Sequence, residues 1–243
     1  NYFRMWKDKT VCVVFPAFNE ENSVKNVIEE FHENPYVDDI IVVDNNSTDN
    51  TKKEILKTEA KYIYEAVPGY GSAISRGFSE ATSDLIITCE PDGTFKTDDI
   101  IKLLVYSDDY DVIFGTRTSK YCIWDGANMN WFLRYGNWAV AKFLEYLFNG
   151  PSLTDVGCTF KLINKKTLYK IKNTFKVKGS HFQPEFMINS ILAAKKVVEI
   201  PVDYLPRIGY SKITGNILTA FKLGNVMIFY ILFRRFSPSP FNA

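Results

Sequence analysis

The sequence of 243 residues is poor in the side chains that build most metal centres and covalent frameworks, with two histidines and four cysteines. Cys12, Cys89, Cys122 and Cys158 lie far apart and form no Cys-x-x-Cys pair, which removes the usual signature of a zinc or dithiol site. Cys12 and Cys89 fall inside apolar runs and read as buried, reduced thiols. No signal peptide is read at the start, where "NYFRMWKDKT" is polar and leads directly into a strand. Long apolar runs are missing too. The uninterrupted apolar core of the last helix, "VMIFYILF", has eight residues, against the roughly 20 that a membrane span needs. No internal repeat or low-complexity linker divides the chain. A net charge of +1 gives no general case for nucleic acid. Acidic residues are absent after Asp203, while Arg207, Lys212, Lys222, Arg234 and Arg235 follow, so the C-terminal end is suited to face something anionic.

What is present is a regular alternation. "TVCVVFPAF", "DDIIVVD", "AKYIYEA", "DLIITCE" and "DVIFGT" read as strands, and the segments between them carry helical periodicity. In the first of these helices Val24, Val27, Ile28 and Phe31 share a face, and Ser47 or Thr48 is the expected N-cap of the second. This predicts an α/β fold with a mostly parallel sheet flanked by helices. The second half predicts a helix over "NMNWFLRYGNWAVAKFLEYLF", strands at "CTFKLIN" and "VVEIPVDYLP" with a helix at "PEFMINSILAA" between them, and a long final helix from "ITGNIL" to "FRRF". The division expected is a catalytic domain over 1–212 and a C-terminal amphipathic helix with its tail over 213–243.

Ligands of such sheets bind at the C-terminal strand ends, where "PAFNE", "DNNSTD" and "EPDGT" all fall. Asp44, at one strand tip, could accept hydrogen bonds from a base or ribose, or could serve its turn alone. "GYGSAISRG", which contains Gly71, offers backbone N–H groups to a phosphate or forms a packed loop. Glu90 and Asp92 alternate along an extended segment and so face one way. Two such carboxylates are costly to hold together unless a cation lies between them. A Mg²⁺ or Mn²⁺ ion shared with substrate phosphates fits that pattern; a solvated acidic turn is the competing reading.

Together "PAFNE", "VVDNNSTDNT", "GYGSAISRGFSEATSDLIITCEPDG" and "DVIFGTR" resemble the nucleotide-diphospho-sugar transferase domain of family 2 glycosyltransferases, which implies a GT-A fold. "TDVGCTFKL", "HFQPE" and "PRIGYSK" are similar to the branch that glycosylates polyisoprenyl phosphates, the dolichol-phosphate mannose synthase type. Carried onto this sequence, the resemblance implies that Pro16, Phe18, Glu20 and Asp44 surround the nucleoside. It implies a metal held by Glu90 and Asp92, with Asp92 the principal ligand. Arg117 is implied near the diphosphate or the acceptor phosphate, and Asp155 near the reacting sugar. Gln183 and Glu185 match an acceptor-lining segment, and Arg207, Ser211 and Lys212 a loop closing over the phosphates. Glu90 stands where aspartate is commoner, and Thr94 where the branch often carries glutamine.

The implied reaction is inverting transfer of a hexose from a UDP- or GDP-sugar to a polyprenyl phosphate. That acceptor needs cationic groups more than a base, since a phosphate monoester has its second pKa at about 6. Arg117, Arg134, Arg207 and Lys212 are suitable by type. A sugar-hydroxyl acceptor is the alternative, with Asp155 or Glu185 as base, and a non-catalytic nucleotide-sugar-binding scaffold is another. The final helix, basic and without acids, is expected to lie in the plane of an anionic membrane at its cytoplasmic face, or else to pack in a core or homo-oligomer interface. His32 and His181 are expected to be structural or exposed.

Overall fold

The structure, a computed structural model, describes residues 5–209 and 217–241. Its frame is one seven-stranded sheet with strands β1 (Val11–Ala17), β2 (Asp39–Asp44), β3 (Lys61–Tyr64), β4 (Leu85–Thr88), β5 (Val112–Thr116), β6 (Lys161–Asn164) and β7 (Val197–Pro201), in the order β3-β2-β1-β4-β6-β5-β7. β1, β2, β3 and β4 are parallel, and β5 is parallel to β7. β6 runs against both β4 and β5. All seven β1 residues are buried, as expected for a strand covered on both faces.

Alternation along β1 feeds two cores. Val11, Val13 and Phe15 join Val24, Val27, Ile28 and Phe31 of α1 (Val24–Glu33) and Leu103 and Leu104 of α4 (Ile100–Tyr106). Cys12 and Val14 join Ile74 and Phe78 of α3 (Tyr70–Glu80), Val140 and Leu144 of α5 (Trp131–Phe148), and Phe186 and Met187 of α7 (Phe182–Ala193). Burying a side chain such as Phe31 fully is worth about 1.5–3 kcal/mol, so α1 is held by its stripe. It ends at Asn34, whose extended backbone precedes Pro35.

Two expectations change. α2 spans Thr51–Ile55 only, with Asn50 at its N-cap. Ser47 and Thr48 instead brace the neighbouring strand tip: Asn19 N donates to Ser47 Oγ at 3.0 Å, and Thr48 N to Asn19 Oδ1 at 2.7 Å. Those hydroxyl and amide groups are already used across the loops and are not free to start a helix. α6 (Lys165–Ile171) is a helix that the periodicity did not reveal, because it has only seven residues. Its cap was legible: Asn164 Oδ1 accepts from Thr167 N at 2.8 Å.

The final helix α8 spans Ile217–Phe236. It packs on α5 and α7 and contributes Met227 and Ile231 to the second core. Leu218, Phe221, Phe229, Phe233 and Phe236 are exposed. No helix among the described residues is long and apolar enough to cross a membrane. Cys12, Cys89 and Cys158 are buried and all four thiols are free.

Candidate active site

The parallel register sets the strand tips side by side, with Ala17 opposite Asp44 and Val14 opposite Thr88. Above them lies a cavity of about 920 Å³. Pro16, Phe18 and Glu20 line it from the end of β1, Asn45, Asn46 and Thr48 from the end of β2, and Gly69 and Tyr70 from the start of α3. Glu90 follows β4, Arg117 follows β5, Gln183 opens α7, and Arg207 comes from the segment after β7. The reversed β6 brings its N-terminal flank, Val156, Gly157 and Thr159, to the same rim. The far half of the cavity is different in kind. Phe132, Leu133, Gly136 and Val140 of α5 face Ala220, Leu223, Gly224 and Met227 of α8, forming an apolar groove. A β-carbon on Gly136 or Gly224 would meet nothing within 4 Å, so both glycines leave open space.

The acidic centre is built by β4. Asp92 is 1% exposed, and its Oδ1 accepts from Thr94 N at 3.0 Å and Thr94 Oγ1 at 2.6 Å. Its Oδ2 is buried and accepts no hydrogen bond; the Arg207 guanidinium faces it at 2.8 Å and reaches Glu20 and, at 3.8 Å, Glu90. Burial and then the Asp92 charge push Glu90 up to about 8. No group of three or more His, Cys, Asp and Glu side chains suited to a metal occurs among the described residues. Asp92 Oδ2, which accepts no hydrogen bond, and the neighbouring Glu90 are oxygen donors of the kind that a hard divalent ion accepts alongside phosphate and water oxygens.

Arg117 is held by a buried partner. Asp155, fully buried, accepts from Arg117 Nε at 2.8 Å, Nη2 at 3.0 Å and backbone N at 2.9 Å, and from Gly157 N at 3.0 Å. Burial works to raise this carboxyl, but Arg117 outweighs it and holds Asp155 below the usual carboxylate range. Asp155 itself does not line the cavity. Behind it, Glu199 accepts from Thr154 N and Oγ1 at 2.6 Å each, and burial pushes it up to about 7.

Several sequence-selected residues, Asp92 among them, sit off the cavity wall. Asp44 accepts from Ser47 N at 3.0 Å and Tyr62 Oη at 3.1 Å, which fixes the turn. Gly71 faces the Val177 carbonyl, only 2.2 Å from where a β-carbon would stand, so it permits close packing of α3. Glu185 accepts from Lys176 N, Val177 N and Tyr230 Oη, at 2.9 to 3.1 Å. Arg134 donates through Nε to Thr118 O at 2.7 Å and lines a separate cavity of about 410 Å³ with Thr116, Thr118 and Thr154. Ser211 and Lys212 lie outside the described residues. His181 precedes α7 with its ring 5.9 Å from that of Tyr230. Sequence reasoning missed Asn45, Asn46, Thr48 and Tyr70. For the first three the signal was present in "DNNSTD", where the carboxylate drew the choice. Asn45 anchors the facing loop, donating to Glu65 O and Val67 O and accepting from Gly69 N.

This sheet, with acidic and basic groups gathered over its strand tips, is an α/β frame that binds its ligand at the strand ends. The model of glycosyl transferase family 2 matches residues 12–172, and the chain belongs to that family. It is 29% identical over 209 residues to an uncharacterized glycosyltransferase of Mycobacterium tuberculosis, covering 85% of this chain and 91% of the relative. It is 26% identical over 240 residues to UDP-N-acetylglucosamine–dolichyl-phosphate N-acetylglucosaminyltransferase of Methanococcus voltae, covering 89% and 94%. Among solved structures, glucosyl-3-phosphoglycerate synthase from Mycobacterium tuberculosis, in complex with Mn²⁺, UDP-glucose and phosphoglyceric acid, shares the fold at a TM-score of 0.70 and 14% identity, covering 96% of this chain and 82% of that one.

Proposed function

We propose that this protein transfers a hexose from a UDP- or GDP-sugar to a polyisoprenyl phosphate at a membrane surface, with a divalent metal ion. The observation that carries the reading is the single cavity whose polar end over the strand tips continues into the apolar groove between α5 and α8. A nucleotide sugar suits the first part and a prenyl chain the second. The dolichyl-phosphate acceptor in the name of the Methanococcus voltae relative supports the same choice.

Pro16, Phe18, Asn46 and Thr48 are placed to hold the nucleoside. Asp92 and Glu90 would hold the ion, which when bound offsets charge developing on the departing diphosphate. Arg117, fixed by Asp155, presents its positive charge to the cavity where an acceptor phosphate would enter. Arg207 spans Glu20 and Asp92 and is placed to exchange those carboxylates for phosphate oxygens. In-line attack by the phosphate inverts the anomeric centre, giving a β-linked product from an α-linked donor. Asp155 and Glu185, the carboxylates a hydroxyl acceptor would need as base, are both engaged and off the cavity wall. This favours an acceptor that attacks without one.

The exposed Leu218, Phe221, Phe229 and Phe233 of α8 and Trp131, Tyr135 and Trp138 of α5, beside Lys222 and Arg235, suit contact with the interfacial region of an anionic membrane. The test is transfer from radiolabelled nucleotide sugars into vesicles containing polyprenyl phosphate. A solvent-extractable product labile to mild acid supports the reading. An acid-stable glycan product points to the hydroxyl acceptor, and nucleotide binding without transfer to a scaffold.

A further inference from the structure

Two buried polar side chains and the half-buried Tyr70, from three different elements, form a directed relay that ends on the cavity wall. Lys161 of β6 has no exposed side-chain surface. Its ammonium donates to Cys158 O and, at 2.7 Å, to Gln183 Oε1 of α7. An ammonium has donors only, so the glutamine must turn its carbonyl oxygen toward it. The amide nitrogen is then committed to the other side, where Nε2 donates to Tyr70 Oη at 2.8 Å. Tyr70, the first residue of α3, is therefore an acceptor in this contact. Its phenolic hydrogen remains for another partner, and no described residue takes it. Tyr70, Gln183 and Glu90 all line the cavity, and the Phe182 ring, with its centroid 6.3 Å from that of Tyr70, flanks the phenol.

We infer that the Tyr70 hydroxyl, directed by Lys161 through Gln183, donates a hydrogen bond to an oxygen of the bound nucleotide sugar, on its hexose or its diphosphate. Gln183 and Lys161 act as positioning residues. A packing role for the tyrosine would need no direction in this chain of bonds, whereas recognition of an acceptor oxygen does. The inference rests on the nucleotide-sugar reading given above.

Gln183→Glu tests the direction. It preserves the size of the side chain and pairs with Lys161, but offers Tyr70 only an acceptor, so the phenolic hydrogen turns away from the cavity. Tyr70→Phe deletes that hydrogen. Affinities are measured by calorimetry with Mn²⁺ and UDP-, GDP- and dTDP-glucose, each beside its free nucleoside diphosphate. Loss of one such hydrogen bond is expected to weaken binding about tenfold. The Tyr70→Phe/Gln183→Glu double variant is expected to be no weaker than either single variant. A loss shared by diphosphate and nucleotide sugar places the contact on the diphosphate; a loss confined to the nucleotide sugar places it on the hexose. Wild-type affinity in Tyr70→Phe, or losses that add in the double variant, overturns the inference while leaving the proposed function intact. Absence of binding of all six probes to the wild-type protein overturns the function and the inference with it. Melting temperatures are read alongside. Should Gln183→Glu not fold, Tyr70→Phe alone decides, since its affinity either falls or does not.

Discussion

Replacing Asp155 with asparagine separates what holds the site together from what does its chemistry. The carboxylate is fully buried and accepts from two side-chain nitrogens and the backbone of Arg117 at 2.8 to 3.0 Å. An asparagine keeps the shape but removes the charge and turns N–H groups toward a guanidinium that cannot accept. Removing one partner of a buried pair costs about 3–5 kcal/mol, mostly because the other charge is left uncompensated. In a chain of this size each kcal/mol lowers the melting temperature by about 2–4 °C, so a fall of about 10 °C is expected. Arg117→Met/Asp155→Leu removes both charges and should recover most of that loss, since apolar replacement of a buried pair is often close to neutral. Transfer should be absent in the double variant even so, because the Arg117 charge is gone from the cavity. Urea and thermal unfolding read the stability, and the vesicle assay reads transfer. An Asp155→Asn variant melting within about 2 °C of wild type, or a double variant less stable than Asp155→Asn, would refute the account of Arg117 as a charge held ready by a buried carboxylate.

Asp92→Asn should abolish Mn²⁺-enhanced nucleotide binding in calorimetry; metal enhancement equal to wild type would remove the ion assignment. Gly224→Leu should block transfer to long-chain polyprenyl phosphate while leaving nucleotide affinity unchanged, since a β-carbon there meets nothing within 4 Å and the rest of the side chain would extend into the groove. Burial depresses Lys161 from the usual lysine value to about 8. Between about pH 8 and 10.5 the unfolded chain thus holds more of this proton, so folding stability rises with pH over that window and the benefit is lost as pH falls through 8. The contribution is on the order of 3 kcal/mol across the window, and Lys161→Met should flatten the stability profile relative to wild type; parallel profiles would contradict it. Phe229→Ser/Phe233→Ser should reduce co-sedimentation with anionic vesicles at unchanged melting temperature, and equal sedimentation would count against the α8 face.

The strands were legible because β1, β2, β4 and β5 are runs of Val, Ile, Leu and Phe cut off by polar tips, and a parallel sheet places such tips together. The reversal of β6 was not legible. "CTFKLIN" has the same composition whichever way it runs, and its direction follows from where the preceding helix delivers the chain. At the site, the strand tips chosen from sequence border the cavity, but not every side chain chosen there lines it. Asp44 and Gly71 stand where ligands were expected, yet the first closes its own turn and the second admits the Val177 carbonyl. Neighbours one or two positions away line the cavity instead. Which of several adjacent polar side chains faces a ligand depends on hydrogen bonds made across loops, as with Asn45 and the 65–69 segment, and no local pattern encodes that. The groove was hidden for a similar reason: Gly136 and Gly224 are ordinary glycines until two helices distant in the chain are brought together.

The reversed strand also partitions the labour of the polypeptide. The tips of β1, β2 and β4 and the turns that follow them come from the first ninety-odd positions, whereas the groove and Arg117 belong to the stretch that begins at β5, from which Arg207 reaches back to Glu20 and Asp92. Within the sheet the two stretches are joined where β4 pairs with β6. On the proposed function, substitutions confined to the facing sides of α5 and α8 would change which acceptor chain fits the groove while leaving the strand tips as they are.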